Sequence, residues 1–187
     1  EAGFYSIAVQ CADLIYIIPV SIGTMLFPRV SSKEKDPGEF TWRVSRHTTF
    51  IMIIVCAVAA IFSKIVIRIL FGEVFLPSVN PFLALIPGIF FLSLETVYMN
   101  DLAGRGLPPI TYITPGIGLI LNMALNIILI PKIGTIGASV ASSVTYFVMF
   151  LILEEYLRRR LKRRFVDLFL LRPGELWMTI QKTTIQR

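Results

Sequence analysis

Long uncharged apolar runs, separated by short polar connections, make up most of this chain. Between Phe4 and Phe27 the only charged residue is Asp13, and between Thr48 and Phe71 the only ones are Lys64 and Arg68. Val74 to Leu94, Gly106 to Pro131 and Thr135 to Leu153 carry no charge at all. A helix that crosses a bilayer needs about 20 predominantly apolar residues. The pattern therefore predicts five transmembrane helices, at about 4–27, 48–71, 78–103, 110–130 and 135–157. The expected fold class is all-α, a polytopic membrane helical bundle over residues 1–157. A basic tail, 158–187, is too short and too charged to span and is expected in the cytoplasmic interface.

Proline and glycine punctuate these runs. Pro19 and Gly23 mark a bend in the first, and Pro28-Arg29 is expected to end it. Asp36-Pro37-Gly38 reads as a turn in the polar connection from Arg29 to Arg46. Pro77 and Pro81 place a re-entrant lead-in before the third helix, and Pro87-Gly88 predicts a kink or an opened turn within it. Pro115-Gly116 bends the fourth, and Pro131-Lys132-Ile133-Gly134 forms a tight hairpin to the fifth. Gly134, Ala138 and Ser142, and likewise Gly137, Ala141 and Thr145, recur every four residues, a spacing that lets helices approach closely.

With 55% hydrophobic residues and a mean hydropathy of +0.74, an ordinary soluble domain is excluded. Net charge is +6, and the cations cluster at the ends of the runs. One side receives Arg29, Lys33, Lys35, Arg43, Arg46, Arg105 and everything from Arg158 onward; the other receives Lys64, Arg68 and Lys132. The richer side is expected to be cytoplasmic. The chain then starts outside, crosses five times and ends inside, in a multi-pass protein of the cytoplasmic membrane. It begins at Glu1 without a signal peptide and reads as a fragment of a larger membrane protein.

Polar residues at membrane depth are costly and are functional candidates by default. Asp13 and Glu95 are the charged ones. Glu95 stands nine residues before Gly104, about 13 Å along a helix, and must either neutralise or meet a cation or water. Asp101 follows in the same stretch. Gly118, Asn122 and Asn126 form a stripe, and asparagines there either bond across helices or line a wet path. Arg29 and Arg105 suit an anionic headgroup at the membrane edge. Cys11 and Cys56 make neither a disulfide framework nor a metal spacing, and with His47 the only histidine no metal site is expected. No phosphate-binding glycine loop, GxSxG or HExxH motif occurs, every connection is short, and no enzymatic activity is expected. Nucleic acid is not an expected partner.

Several short segments together resemble a known family. These are Gly3-Phe4-Tyr5-Ser6-Ile7-Ala8, Ile18-Pro19, Leu26-Phe27-Pro28-Arg29-Val30-Ser31, Leu70-Phe71-Gly72, Ile86-Pro87-Gly88, Gly104-Arg105-Gly106-Leu107-Pro108, and Asn126-Ile127-Ile128-Leu129-Ile130-Pro131 through Gly134 and Gly137-Ala138. In this order and spacing they resemble the C-terminal half of the lipid-linked oligosaccharide flippases, which transport O-antigen or capsular precursors. Their superfamily also holds multidrug exporters and lipid II flippases. The resemblance implies two pseudo-symmetric six-helix bundles around a central cavity, with this chain most of the second. It implies flipping of a lipid-linked oligosaccharide by alternating access, without cofactor and driven by H+ or Na+. Asp13, Glu95, Asp101, Asn122 and Asn126 are then candidates for ion coupling or the transport path. The implied partners are membrane lipid, the lipid-linked oligosaccharide, an N-terminal bundle of the same protein and polysaccharide assembly enzymes. The alternatives are a multidrug or cation antiporter of the same superfamily, a lipid II flippase, and a scaffold that transports nothing.

The topology has a direct test. Cysteines introduced as Lys35→Cys and Lys132→Cys should label from opposite faces of the membrane with an impermeant thiol reagent. Labelling from one face would exclude five crossings.

Overall fold

The structure, a computed structural model, describes residues 2–31 and 39–161. Helix α1 spans Ala2–Ser31, α2 Glu39–Phe71 and α3 Val79–Gly104. A 3-10 turn, Glu73–Ser78, joins α2 to α3. The remaining helical stretch, Ile110–Leu161, is interrupted at Ile133 (φ −133°, ψ 17°) and Gly134 (φ 59°, ψ −137°), which divide it into α4 (110–132) and α5 (135–161). Gly134 holds a backbone conformation that a side chain disfavours, so glycine is what permits the reversal. The reversal is confirmed further along the two arms. Asn122 bonds Ser142 and Thr145, Gly118 lies against Met149, and Gly137 lies against the Leu129 carbonyl.

Four helical stretches are long and apolar enough to cross a membrane, and the last is folded back on itself. Successive contacts give the directions. Tyr16, Gly23 and Val30 of α1 meet Thr96, Asn100 and Gly104 of α3 in turn, so α1 and α3 run parallel. Gly88, Phe91 and Tyr98 meet Ser143, Phe147 and Glu154, so α3 and α5 run parallel as well. The helices α2 and α4 return in the opposite sense. Arg43, Arg46, Arg105 and Arg158 consequently gather at one end, called here the basic end, and Arg68 and Lys132 at the other.

The central helix is α3. Its Val79, Phe82, Leu85, Ile86 and Ile89 pack with Ala8, Cys11, Ala12 and Ile15 of α1 and Met52, Cys56 and Ile67 of α2. Nearer the basic end, Leu94, Tyr98 and Leu102 pack with Trp42 of α2 and Phe150, Leu153 and Leu157 of α5. The outward faces of α2 and α4 are apolar and exposed, Ile54, Ile61 and Ile69 on one and Leu119, Ile120, Met123 and Ile127 on the other. Such faces suit lipid tails.

Three boundaries differ from expectation. The first helix does not end at Pro28-Arg29 but continues to Ser31; Pro28 gives up the bond to the Thr24 carbonyl, and packing of Phe27 and Val30 against Gly104 of α3 carries the helix past it. The second begins at Glu39 rather than near residue 48, because Thr41, Trp42, Ser45, Thr48 and Thr49 are buried against the bundle. The third shows no opened turn at Pro87-Gly88. Gly88 instead lies where a Cβ would stand 2.6 Å from the Cα of Ser143, and the Ser143 hydroxyl donates to the Ala84 carbonyl at 2.6 Å. The expected re-entrant lead-in is the short 3-10 turn, with Pro81 in the first turn of α3, where its missing N–H costs nothing.

This crossing yields a prediction. Gly88→Ala should lower the thermal transition of the purified full-length protein and its membrane level, because backbone atoms must move apart. Gly116→Ala, where nothing lies within 4 Å of the added carbon, should not lower either. Equal effects would show that α3 and α5 do not meet there.

Candidate functional site

Helical periodicity gives α1 two contrasting faces. Ala8, Cys11, Ala12, Ile15 and Leu26 are buried against α3 and α2. Ser6, Gln10, Asp13, Ser21 and Thr24 lie on the opposite face and are exposed, interleaved with exposed Leu14, Ile17, Val20 and Met25. The Gln10 amide donates to the Ser6 hydroxyl at 3.5 Å, while the Ser21 and Thr24 hydroxyls donate to carbonyls of their own helix. Asp13 makes no hydrogen bond or ion pair among the described residues. A carboxylate and an amide exposed in a membrane-spanning helix face water or other protein, not lipid. Sequence reasoning singled out only Asp13. The signal for the others was present, as polar residues three, four and seven positions apart, but Ile17 and Tyr16 interrupt it.

One flank of this stripe is built by α3 and α5. The Tyr16 hydroxyl bonds the Thr96 hydroxyl at 2.7 Å. Next to Thr96, Glu95 is 6% exposed and has no hydrogen-bond or ion-pair partner among the described residues. Tyr146 of α5 lies within electrostatic reach of Tyr5, Tyr16, Glu95 and Asp13. Asp13, Glu95 and Tyr16 thus all lie within reach of Tyr146 in the middle of the bundle, with Tyr5 further toward the start of α1. A buried carboxylate without a partner is expensive, and Glu95 is a functional candidate on that ground.

The other candidates lie elsewhere. Asp101 is 0% exposed at the basic end. It accepts from Thr41 Oγ1 at 2.5 Å and from Arg105 Nε at 2.8 Å and Nη2 at 2.9 Å. Arg105 is therefore engaged within the bundle rather than held out toward a headgroup. Beside this pair Tyr98 donates to Glu154 at 2.6 Å, a second polar tie between α3 and α5 that sequence reading did not pick out. Its only sequence signal was Glu154 itself, hidden among the charges at the helix end. Arg29 belongs to the end of α1, with its side chain outside the described residues. Asn126 donates to Asn122 at 2.8 Å, and Asn122 reaches Ser142 and Thr145 at 3.5 and 3.4 Å. Asn122 binds α4 to α5, while Asn126 bonds only within α4 and its amide oxygen is buried without a hydrogen-bond partner among the described residues. Among the described residues, no three His, Cys, Asp or Glu side chains gather as a metal site.

An all-helical bundle with apolar outer faces and one polar face at mid-depth is a multi-pass membrane protein. The sequence profile of the Lipid II flippase MurJ family matches residues 8–185, and the chain belongs to that family. It is 30% identical over 172 residues to the uncharacterized membrane protein MJ1068 of Methanocaldococcus jannaschii, covering 89% of this chain and 34% of that one. It is 28% identical over 159 residues to a putative O-antigen transporter of Shigella flexneri, covering 82% and 38%. With the probable low-salt glycan biosynthesis flippase Agl15 of Haloferax volcanii it shares 24% over 162 residues, covering 84% and 34%. A solved structure of the lipid II flippase MurJ in an inward closed conformation has the same fold, with a TM-score of 0.78 at 19% identity over 85% of this chain and 37% of that one. The chain spans 34% to 38% of the length of these curated relatives.

The two kinds of carboxylate separate by mutation. Asp101→Ala removes one partner of a buried pair and should destabilise the full-length protein by about 3 kcal/mol. Asp13→Ala, at an exposed and unpartnered position, should change stability by less than about 0.5 kcal/mol. Denaturation of the purified protein measures both.

Proposed function

We propose that this chain forms much of one bundle of a transporter that flips a lipid-linked oligosaccharide across the cytoplasmic membrane. The observation that carries the reading is the polar face of α1, exposed at mid-depth and flanked by Glu95, Tyr16 and Tyr146, in a bundle whose other faces are apolar. A polar headgroup needs such a surface to pass a hydrocarbon core of about 30 Å. Membership of the lipid II flippase family supports the reading, as do an O-antigen transporter and a glycan biosynthesis flippase among the relatives. A lipid II-type cargo falls within the same class.

In this reading the opposite wall of the path belongs to another bundle of the whole protein, and the two rock about the polar face in alternating access. The joined α1, α3 and α5 move as one body, because the glycine contacts and the Tyr16–Thr96, Ser143–Ala84 and Tyr98–Glu154 bonds hold them together. Glu95 is the coupling group. It is buried and unpartnered, so binding a proton or Na+ removes an uncompensated charge, and release restores it. Asp13, exposed nearby, faces the path. Asn122, steadied by Asn126 of the same helix, holds α4 to α5.

Glu95→Gln keeps the shape of the side chain and abolishes its charge. In the full-length protein it should reach normal membrane levels while losing flipping of lipid-linked sugar, or losing the dependence of flipping on pH or Na+. Normal flipping with an unchanged ion dependence would remove Glu95 from the mechanism.

A further inference from the structure

The wall built by α1, α3 and α5 has a charge problem if its cargo is a pyrophosphate lipid. None of these helices carries a Lys, Arg or His before its turn at the basic end: α1 has only Arg29, α3 has none, and α5 has none before Arg158. At mid-depth the wall carries Asp13 and Glu95 instead. Asp13, joined by Glu95 whenever its coupling ion is released, repels a pyrophosphate, and more strongly in a low-dielectric site than in water. The polar face must therefore touch a different part of the cargo.

Its chemistry is that of carbohydrate recognition. Gln10 supplies both a donor and acceptors, Asp13 supplies two acceptor oxygens, and Ser6 adds a hydroxyl. Sugars present adjacent hydroxyls that donate and accept in the same way. Tyr16 stands one turn from Asp13, and Tyr146 lies within electrostatic reach of Asp13; both are half-buried, and their negative ring faces attract the C–H edges of a sugar ring. Tyr16 is fixed in place by its bond to Thr96, so its ring is pre-organised. From Ser6 to Asp13 the polar row runs about 10 Å along the helix, room for one or two sugar rings.

We infer that this face, centred on Gln10, Asp13, Tyr16 and Tyr146, is a saccharide-reading subsite, and that the pyrophosphate of the cargo is held outside it. The inference rests on the flippase reading above and deepens it by assigning the sugar, rather than the lipid phosphate, to this bundle.

The test compares a polyprenyl pyrophosphate with the same lipid bearing N-acetylglucosamine, galactose or mannose, each bound to the full-length protein in nanodiscs. The wild type should prefer at least one glycosylated lipid over the bare one. Gln10→Ala and Tyr16→Ala should each cut that preference about tenfold while leaving affinity for the bare lipid unchanged. Tyr16→Phe keeps the ring and should retain most of the preference. Gln10 bonds only to exposed Ser6, so its alanine variant keeps the fold and the comparison stands even if Tyr16→Ala is unstable. Equal loss for bare and glycosylated lipids would place the pyrophosphate here and overturn the proposal. So would a preference unchanged in Gln10→Ala, or no preference in the wild type. A vesicle assay separates this from the broader reading. A wild type that flips none of the glycosylated lipids defeats the flippase reading, whereas one that flips them with no loss of preference in the variants defeats only the sugar assignment.

Discussion

Close approach of helix backbones is what the rest of this structure depends on. Lipid tails are as apolar as leucine, so burying leucine between helices gains little in a bilayer; association relies on packing and on interhelical hydrogen bonds. Both are concentrated on α3. A carbon added at Gly23 would stand 2.5 Å from the amide of Asn100, one at Gly88 would stand 2.6 Å from Ser143, and one at Gly104 would stand 2.9 Å from Val30. These contacts hold α1 and α5 against the central helix in a parallel arrangement. Without them there would be no shared wall on which residues from three helices could meet.

Polar ties then divide the wall by depth. At the basic end Thr41 and Arg105 both donate to Asp101, and Tyr98 donates to one oxygen of Glu154, whose other oxygen is buried without a hydrogen-bond partner among the described residues. Asp101, fully buried, is costly alone and tolerable with its donors. These bonds also account for the early start of α2, whose first turns are polar in composition yet buried. At mid-depth the logic reverses: Glu95 is buried without a partner, and Asp13 is left exposed. The polar ties lie at the basic end, and the carboxylates without partners lie at mid-depth.

The outward faces of the helices differ in composition. The exposed faces of α2 and α4 are built of isoleucine, leucine and methionine, whereas α1 exposes glutamine, aspartate, serine and threonine among Leu14, Ile17, Val20 and Met25. In the proposed function this mixed face lines the path, and the bundle tilts as a unit about it.

The helical class, the number of apolar runs and the reversal at Gly134 were legible in the sequence, because each depends on local chemistry. Uncharged length sets a span, and only glycine readily takes the backbone angles of that hairpin. Charge at the run ends likewise announced which termini share a side. Asp13 and Glu95 could be recognised singly, because charge within an apolar run needs no partner to be conspicuous. What they do together could not be read, nor could the pairing of Asp101 with Thr41 or of Tyr98 with Glu154. The start of α2 at Glu39 escaped for the same reason. A buried polar residue becomes affordable only through a partner on another helix, and that partner is chosen by crossing points between helices, which no local pattern specifies. Packing of α3 between α1 and α5 decided which charges were neutralised and which were left open.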